Sequence, residues 1–109
     1  MLNHRLRRNE EAIADYNEVI SRLPGQADVY NQSGIAKHAL GRYEEAIEDF
    51  NAAITSNPNY ALTYYNRGRA YLALKQNTQA LADFTEAIRL QPDFIQANRA
   101  KALIEGFRS

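Results

Sequence analysis

Residues 42–58, RYEEAIEDFNAAITSNP, decide the fold, because the chain writes this stretch three times. Thirty-four residues earlier stands RNEEAIADYNEVISRLP, and thirty-four residues later stands QNTQALADFTEAIRLQP. Ala12, Ala46 and Ala80 fall in register, as do Asp15, Asp49 and Asp83. So do Tyr16, Phe50 and Phe84, then Ile20, Ile54 and Ile88, then Pro24, Pro58 and Pro92. A fixed period of this length marks a solenoid, in which each unit covers the apolar face of its neighbour.

Outward from that stretch, the 109 residues divide as one domain of repeats. Residues 1–26 form a partial repeat that lacks its first eight positions, 27–60 and 61–94 are full repeats, and 95–109 form a C-terminal capping helix. Each full repeat reads as two helices. The apolar and small residues fall at steps of three and four: Tyr64, Gly68, Tyr71 and Leu74 on the first helix, Ala80, Leu81, Phe84, Ala87 and Ile88 on the second. The spacing predicts helices over 28–40, 43–56, 62–74 and 77–90, with further helices over 9–23 and 94–107 and a stub over 1–6. Each proline ends a unit, because the residue before it is pushed out of helical geometry. Gly41 suits the bend between the two helices, whereas Arg7 and Lys75 occupy the matching bends with side chains less suited to positive φ.

Composition narrows the function. Thirteen basic and thirteen acidic residues cancel, which argues against a general nucleic-acid binder. The charge is graded: residues 25–60 carry two basic and five acidic side chains, and residues 61–109 carry seven and four. The absence of cysteine excludes disulfides, thiol catalysis and cysteine-ligated zinc. No apolar run reaches the ~18 residues of a membrane span, and no signal-peptide core follows the basic N-terminus, so the cytoplasm is the default expectation. No glycine-rich phosphate loop, nucleophile elbow or HExxH motif is present, so no enzyme, cofactor or metal is expected. His4 and His38, one period apart, read as surface histidines, and the cluster HRLRR at residues 4–8 reads as a solvated terminus.

With period and residues in hand, the chain resembles the tetratricopeptide repeat family, whose signature is Trp-x2-Leu-Gly-x2-Tyr, then Ala-x3-Phe, then Pro. Tyr64, Gly68, Tyr71, Ala80, Phe84 and Pro92 fit it, with Arg67 at the leucine. Tyr30, Gly34, Ala46, Phe50 and Pro58 fit it one repeat earlier, with Ser33 and Lys37 as departures. The resemblance implies an all-α fold, an α-solenoid of antiparallel helix pairs in a right-handed superhelical stack. Gly34 and Gly68, with Ala46 and Ala80 opposite, would let paired helices approach closely, and Tyr30–Phe50 and Tyr64–Phe84 would fill the space between them.

In that family the first helices line a concave surface on which peptides lie. The resemblance carries this role onto Asp28, Asn31, Gln32, Ile35 and His38, then Leu62, Tyr65, Asn66, Arg69 and Leu72, then Gln96, Arg99 and Leu103. Asn66 matches an asparagine that holds a ligand's main chain in some members. The carboxylate clamp of chaperone-binding members is otherwise missing, since Asn31, Ile35, Gln96 and Ala100 stand at its remaining positions; Arg69 and Arg99 can still hold an acidic ligand. The expected function is non-enzymatic recognition of a peptide or helical segment of a partner protein, with no nucleic acid and no membrane involved.

Two further expectations concern charge and the ends. Arg67 shares a face with Tyr64 and Tyr71 and needs a partner if buried, so pairs Asp49–Arg67 and Asp83–Lys101 are predicted. The stripe of Ile13, Tyr16 and Ile20 lacks most of its covering helix, which makes it a candidate self-association surface. Residues 1–6 can straighten onto 9–23 as one helix that pairs with a second chain. Alternatively the C-terminal helix of a neighbour can dock there head-to-tail, or the chain is part of a longer repeat protein. The competing function is therefore a structural module that assembles with itself.

Overall fold

Pro58 and Pro92, and the bends at Gly41 and Lys75, act where the sequence places them. The computed structural model describes residues 2–23 and 25–108, with the side chains of 2–5, 107 and 108 outside the description. Pro24, expected to close the first repeat, also lies outside the described residues. Six helices and no strand are found among the described residues: α1 Leu2–Arg22, α2 Ala27–Ala39, α3 Tyr43–Ser56, α4 Ala61–Ala73, α5 Asn77–Leu90 and α6 Ile95–Arg108. Asn57 and Gln91, each followed by proline, take extended backbone with φ −147° and −143° and stop α3 and α5.

The bends after α2 and α4 are alike. Gly41 N–H donates to His38 C=O and Arg42 N–H to Lys37 C=O; one period later Lys75 N–H donates to Leu72 C=O and Gln76 N–H to Tyr71 C=O. This double closure satisfies the last helical carbonyls and requires a left-handed residue. Gly41 takes it at φ +78° and Lys75 at φ +62°. The expected bend at Arg7 is absent. Residues 2–22 form one continuous helix, with no glycine or proline inside them to interrupt it.

The chain forms two compact units, Met1–Pro58 and Asn59–Ser109. In the first, α2 packs between α1 and α3. Ala46, Phe50 and Ala53 of α3 are fully buried, and a Cβ at Gly34 would lie 2.5 Å from the Phe50 ring, so only glycine admits the aromatic there. In the second, α5 packs against α4 and α6. Ala80, Phe84 and Ala87 are fully buried, and a Cβ at Gly68 would meet Phe84 at 2.7 Å. Each buried phenylalanine contributes roughly 1.5–3 kcal/mol. Ala61, Phe94 and Ala97 close one end of this core and Ile104 the other.

Candidate partner-binding site

The repeated aspartates show what holds the helix pairs in register. Asp49 on α3 pairs with Lys37 on α2 at 2.9 Å, and Asp83 on α5 pairs with Arg67 on α4 through two hydrogen bonds of 2.7 and 2.8 Å. Asp83 does not take Lys101 as predicted, because its carboxylate turns to Arg67 on the first helix of its own pair, and Asp49 likewise has a cation, Lys37, within its own pair. The cations come from positions one turn apart in the repeat, which is why the period alone did not reveal them. Burial pushes the Asp83 carboxyl up, with the Arg67 hydrogen bond pulling the other way, and that same hydrogen bond raises Arg67. The Arg67 guanidinium also lies 5.7 and 5.9 Å from the Tyr64 and Tyr71 rings. These charges are structural clips within each unit.

The residues expected to meet a ligand divide into buried and open sets. On α2, Asn31 is 1 % exposed and packs inside the protein, while Asp28, Gln32 and Ile35 are open and His38 sits edge-on to Tyr43 with ring centroids 5.1 Å apart. On α4, Asn66 is 6 % exposed. Tyr65 is half-buried and belongs to the core: its ring lies 5.8 Å from Phe84 and 5.0 Å from Phe94. It is Tyr65 that meets the Phe84 ring, although the sequence suggested Tyr64. Leu62 also packs against the cluster around Ala61 and Phe94.

What remains open on the second unit is a set of side chains on α4 and α6. The Arg69 guanidinium stacks over the Tyr65 ring at 5.7 Å, which holds an exposed cation in place. Leu72 follows on the same helix and is exposed. On α6, Gln96, Arg99 and Leu103 are exposed. The start of α6 is fixed by Asn98, whose amide donates to the carbonyls of Pro92 and Phe94 at 3.1 and 2.9 Å. Two guanidinium groups and two leucines thus stand on α4 and α6, and Tyr65 of α4 packs on Phe94, the residue just before α6.

Comparison with known proteins agrees with this architecture. The TPR repeat model matches residues 34–75 and the tetratricopeptide repeat model matches residues 61–94, together more than half of the chain. The chain belongs to the tetratricopeptide repeat family, a family of protein–protein interaction modules that is generally non-enzymatic. No curated protein matches the sequence significantly. Among solved structures, the first TPR of Spaghetti (RPAP3) bound to the HSP90 peptide SRMEEVD is 25 % identical, with a TM-score of 0.90 over 94 % of this chain and 82 % of that one. The Arabidopsis OM64 TPR domain is 25 % identical, with a TM-score of 0.90 over 93 % and 84 %. The second TPR domain of human RPAP3, in complex with the HSP70 peptide SGPTIEEVD, is 28 % identical, with a TM-score of 0.85 over 89 % and 81 %. No helix among the described residues is long and apolar enough to cross a membrane.

Proposed function

We propose that this protein is a non-enzymatic recognition module that binds an extended acidic segment of a partner protein on the open side chains of α4 and α6. The observation that carries the reading is Arg69, stacked on Tyr65 and exposed, with Leu72 beside it and Arg99 and Leu103 on the next open helix. Guanidinium groups grip carboxylates by paired hydrogen bonds, and the leucines take an apolar side chain between them. The second unit carries seven basic and four acidic residues, which favours an acidic ligand. The peptides held by two of the similar domains, SRMEEVD and SGPTIEEVD, both end in Glu-Glu-Val-Asp and have this chemistry. The full carboxylate clamp is not part of the proposal, since Asn66 is buried and Ile35, Gln96 and Ala100 fill other clamp positions.

The test is titration of a fluorescent SRMEEVD peptide, read by anisotropy, against the wild type and Arg69→Glu/Arg99→Glu. Saturable binding that weakens with added salt and falls at least tenfold in the double variant, at unchanged helicity, is the expected result. Undiminished binding by the double variant would place the site elsewhere. No saturable binding of this or any other acidic peptide would overturn the ligand class.

A further inference from the structure

The self-association stripe expected on α1 is largely withdrawn from solvent, with Ile13 buried and Tyr16 and Ile20 half-buried. On α4, by contrast, two arginines two residues apart differ in a single partner. The Arg67 guanidinium lies over the Tyr64 and Tyr71 rings at 5.7 and 5.9 Å, and a carboxylate takes its edge: Nε and Nη2 donate to the two oxygens of Asp83 at 2.8 and 2.7 Å. The Arg69 guanidinium lies over the Tyr65 ring, also at 5.7 Å. It is exposed and makes no ion pair among the described residues.

Stacking and carboxylate binding use different parts of the group. An aromatic ring covers a face of the planar guanidinium, whereas a carboxylate is met in the plane, along the edge that carries the N–H donors. Arg67 shows both at once. Arg69 has the ring without the carboxylate.

Tyr65 is itself held by the core. Its ring lies 5.8 Å from the fully buried Phe84 and 5.0 Å from Phe94, and it packs against both hydrophobic clusters of the second unit. An exposed arginine ordinarily samples many rotamers, and fixing one on binding lowers affinity. A ring anchored in the core restricts that sampling before any ligand arrives.

We infer that Tyr65 is the positioning residue of the proposed site. It presents the edge of Arg69 to a carboxylate of the ligand, which docks through two parallel hydrogen bonds as Asp83 does on Arg67. Tyr65, expected to touch the partner, acts through Arg69 instead. The inference rests on the acidic-segment reading above and deepens it: the acid at Arg69 is recognised by a fork of donors and not by charge alone.

Anisotropy of fluorescent SRMEEVD over a double-substitution cycle tests this. Tyr65→Leu should weaken binding about two- to tenfold, the cost of ordering one long side chain. Tyr65→Phe, which keeps the ring, should restore what Tyr65→Leu loses. In an Arg69→Ala background Tyr65→Leu should cost nothing further, whereas a general loosening of the unit would weaken binding there too. Arg69→Lys keeps the charge without the fork and should lose as much as Arg69→Ala. The inference is overturned by Tyr65→Leu binding as wild type does, by a Tyr65→Leu loss that persists without Arg69, or by Arg69→Lys binding undiminished. A wild type that binds no acidic peptide overturns the underlying reading, and the role of Tyr65 with it.

Discussion

Replacing Arg67 by methionine isolates the largest electrostatic effect in the second unit. The Asp83 side chain is 5 % exposed and Arg67 21 %, so removing the guanidinium leaves a desolvated carboxylate with no cation. Breaking a buried pair from one side costs roughly 3–5 kcal/mol. Partial exposure of Arg67 puts this case near the lower end, about 3 kcal/mol at pH 7, or a fall in melting temperature on the order of 10–15 °C. The sign with pH follows from burial. Asp83 is already pushed up, and loss of Arg67 raises it further. A carboxyl whose folded pKa exceeds its unfolded value loses stability as pH rises through that window. The deficit of Arg67→Met relative to wild type should therefore shrink as pH falls from 7 towards 4. Asp83→Leu introduced alongside Arg67→Met should recover most of the loss, because no charge is then left buried. Urea denaturation of the three proteins at several pH values is the assay. A deficit below about 1 kcal/mol at pH 7, or one independent of pH, would refute the claim that Asp83 depends on Arg67.

Further substitutions probe the frame. Gly68→Leu forces a side chain into the Phe84 ring and should cost at least the ~1–3 kcal/mol of overpacking, seen as a lower melting temperature; an unchanged value would mean that Phe84 moves aside freely. Lys75→Gly relieves a side chain from left-handed geometry and should stabilise by up to about 1 kcal/mol in urea, while Gly41→Lys should do the reverse. Lys37→Met should lower stability by a few kcal/mol, since Asp49 is 14 % exposed, and Asp49→Leu added to it should restore the loss.

The period made the helices legible almost to the residue. The expected spans 43–56 and 77–90 are those of α3 and α5, and 28–40 and 62–74 are displaced by a single position in α2 and α4. A glycine facing a phenylalanine was equally readable, because only a missing Cβ lets the two helices close. Ion pairs were not: spacing shows which residues share a face but not which neighbouring helix that face meets. The candidate site suffered for a related reason. Asn31, Ser33, Gly34 and Ala36 of α2 are all buried although they point in different directions round the helix. A helix packed on several sides has no single polar face, so Asn31 and Asn66, placed on the open surface by the family resemblance, are buried, and Tyr65 is half-buried. Arg69 and Arg99 lie exposed, whereas Arg67 on the same helix as Arg69 is drawn inward by Asp83.

The central claim is that α4 and α6 of the second unit meet an acidic segment. Backbone amide shifts of labelled protein, followed while unlabelled SRMEEVD is added, test it most directly. The account predicts saturable shifts concentrated at Arg69, Leu72, Arg99 and Leu103, absent in Arg69→Glu/Arg99→Glu. Shifts centred on α1, α3 or α5, with those four residues unmoved, would contradict it.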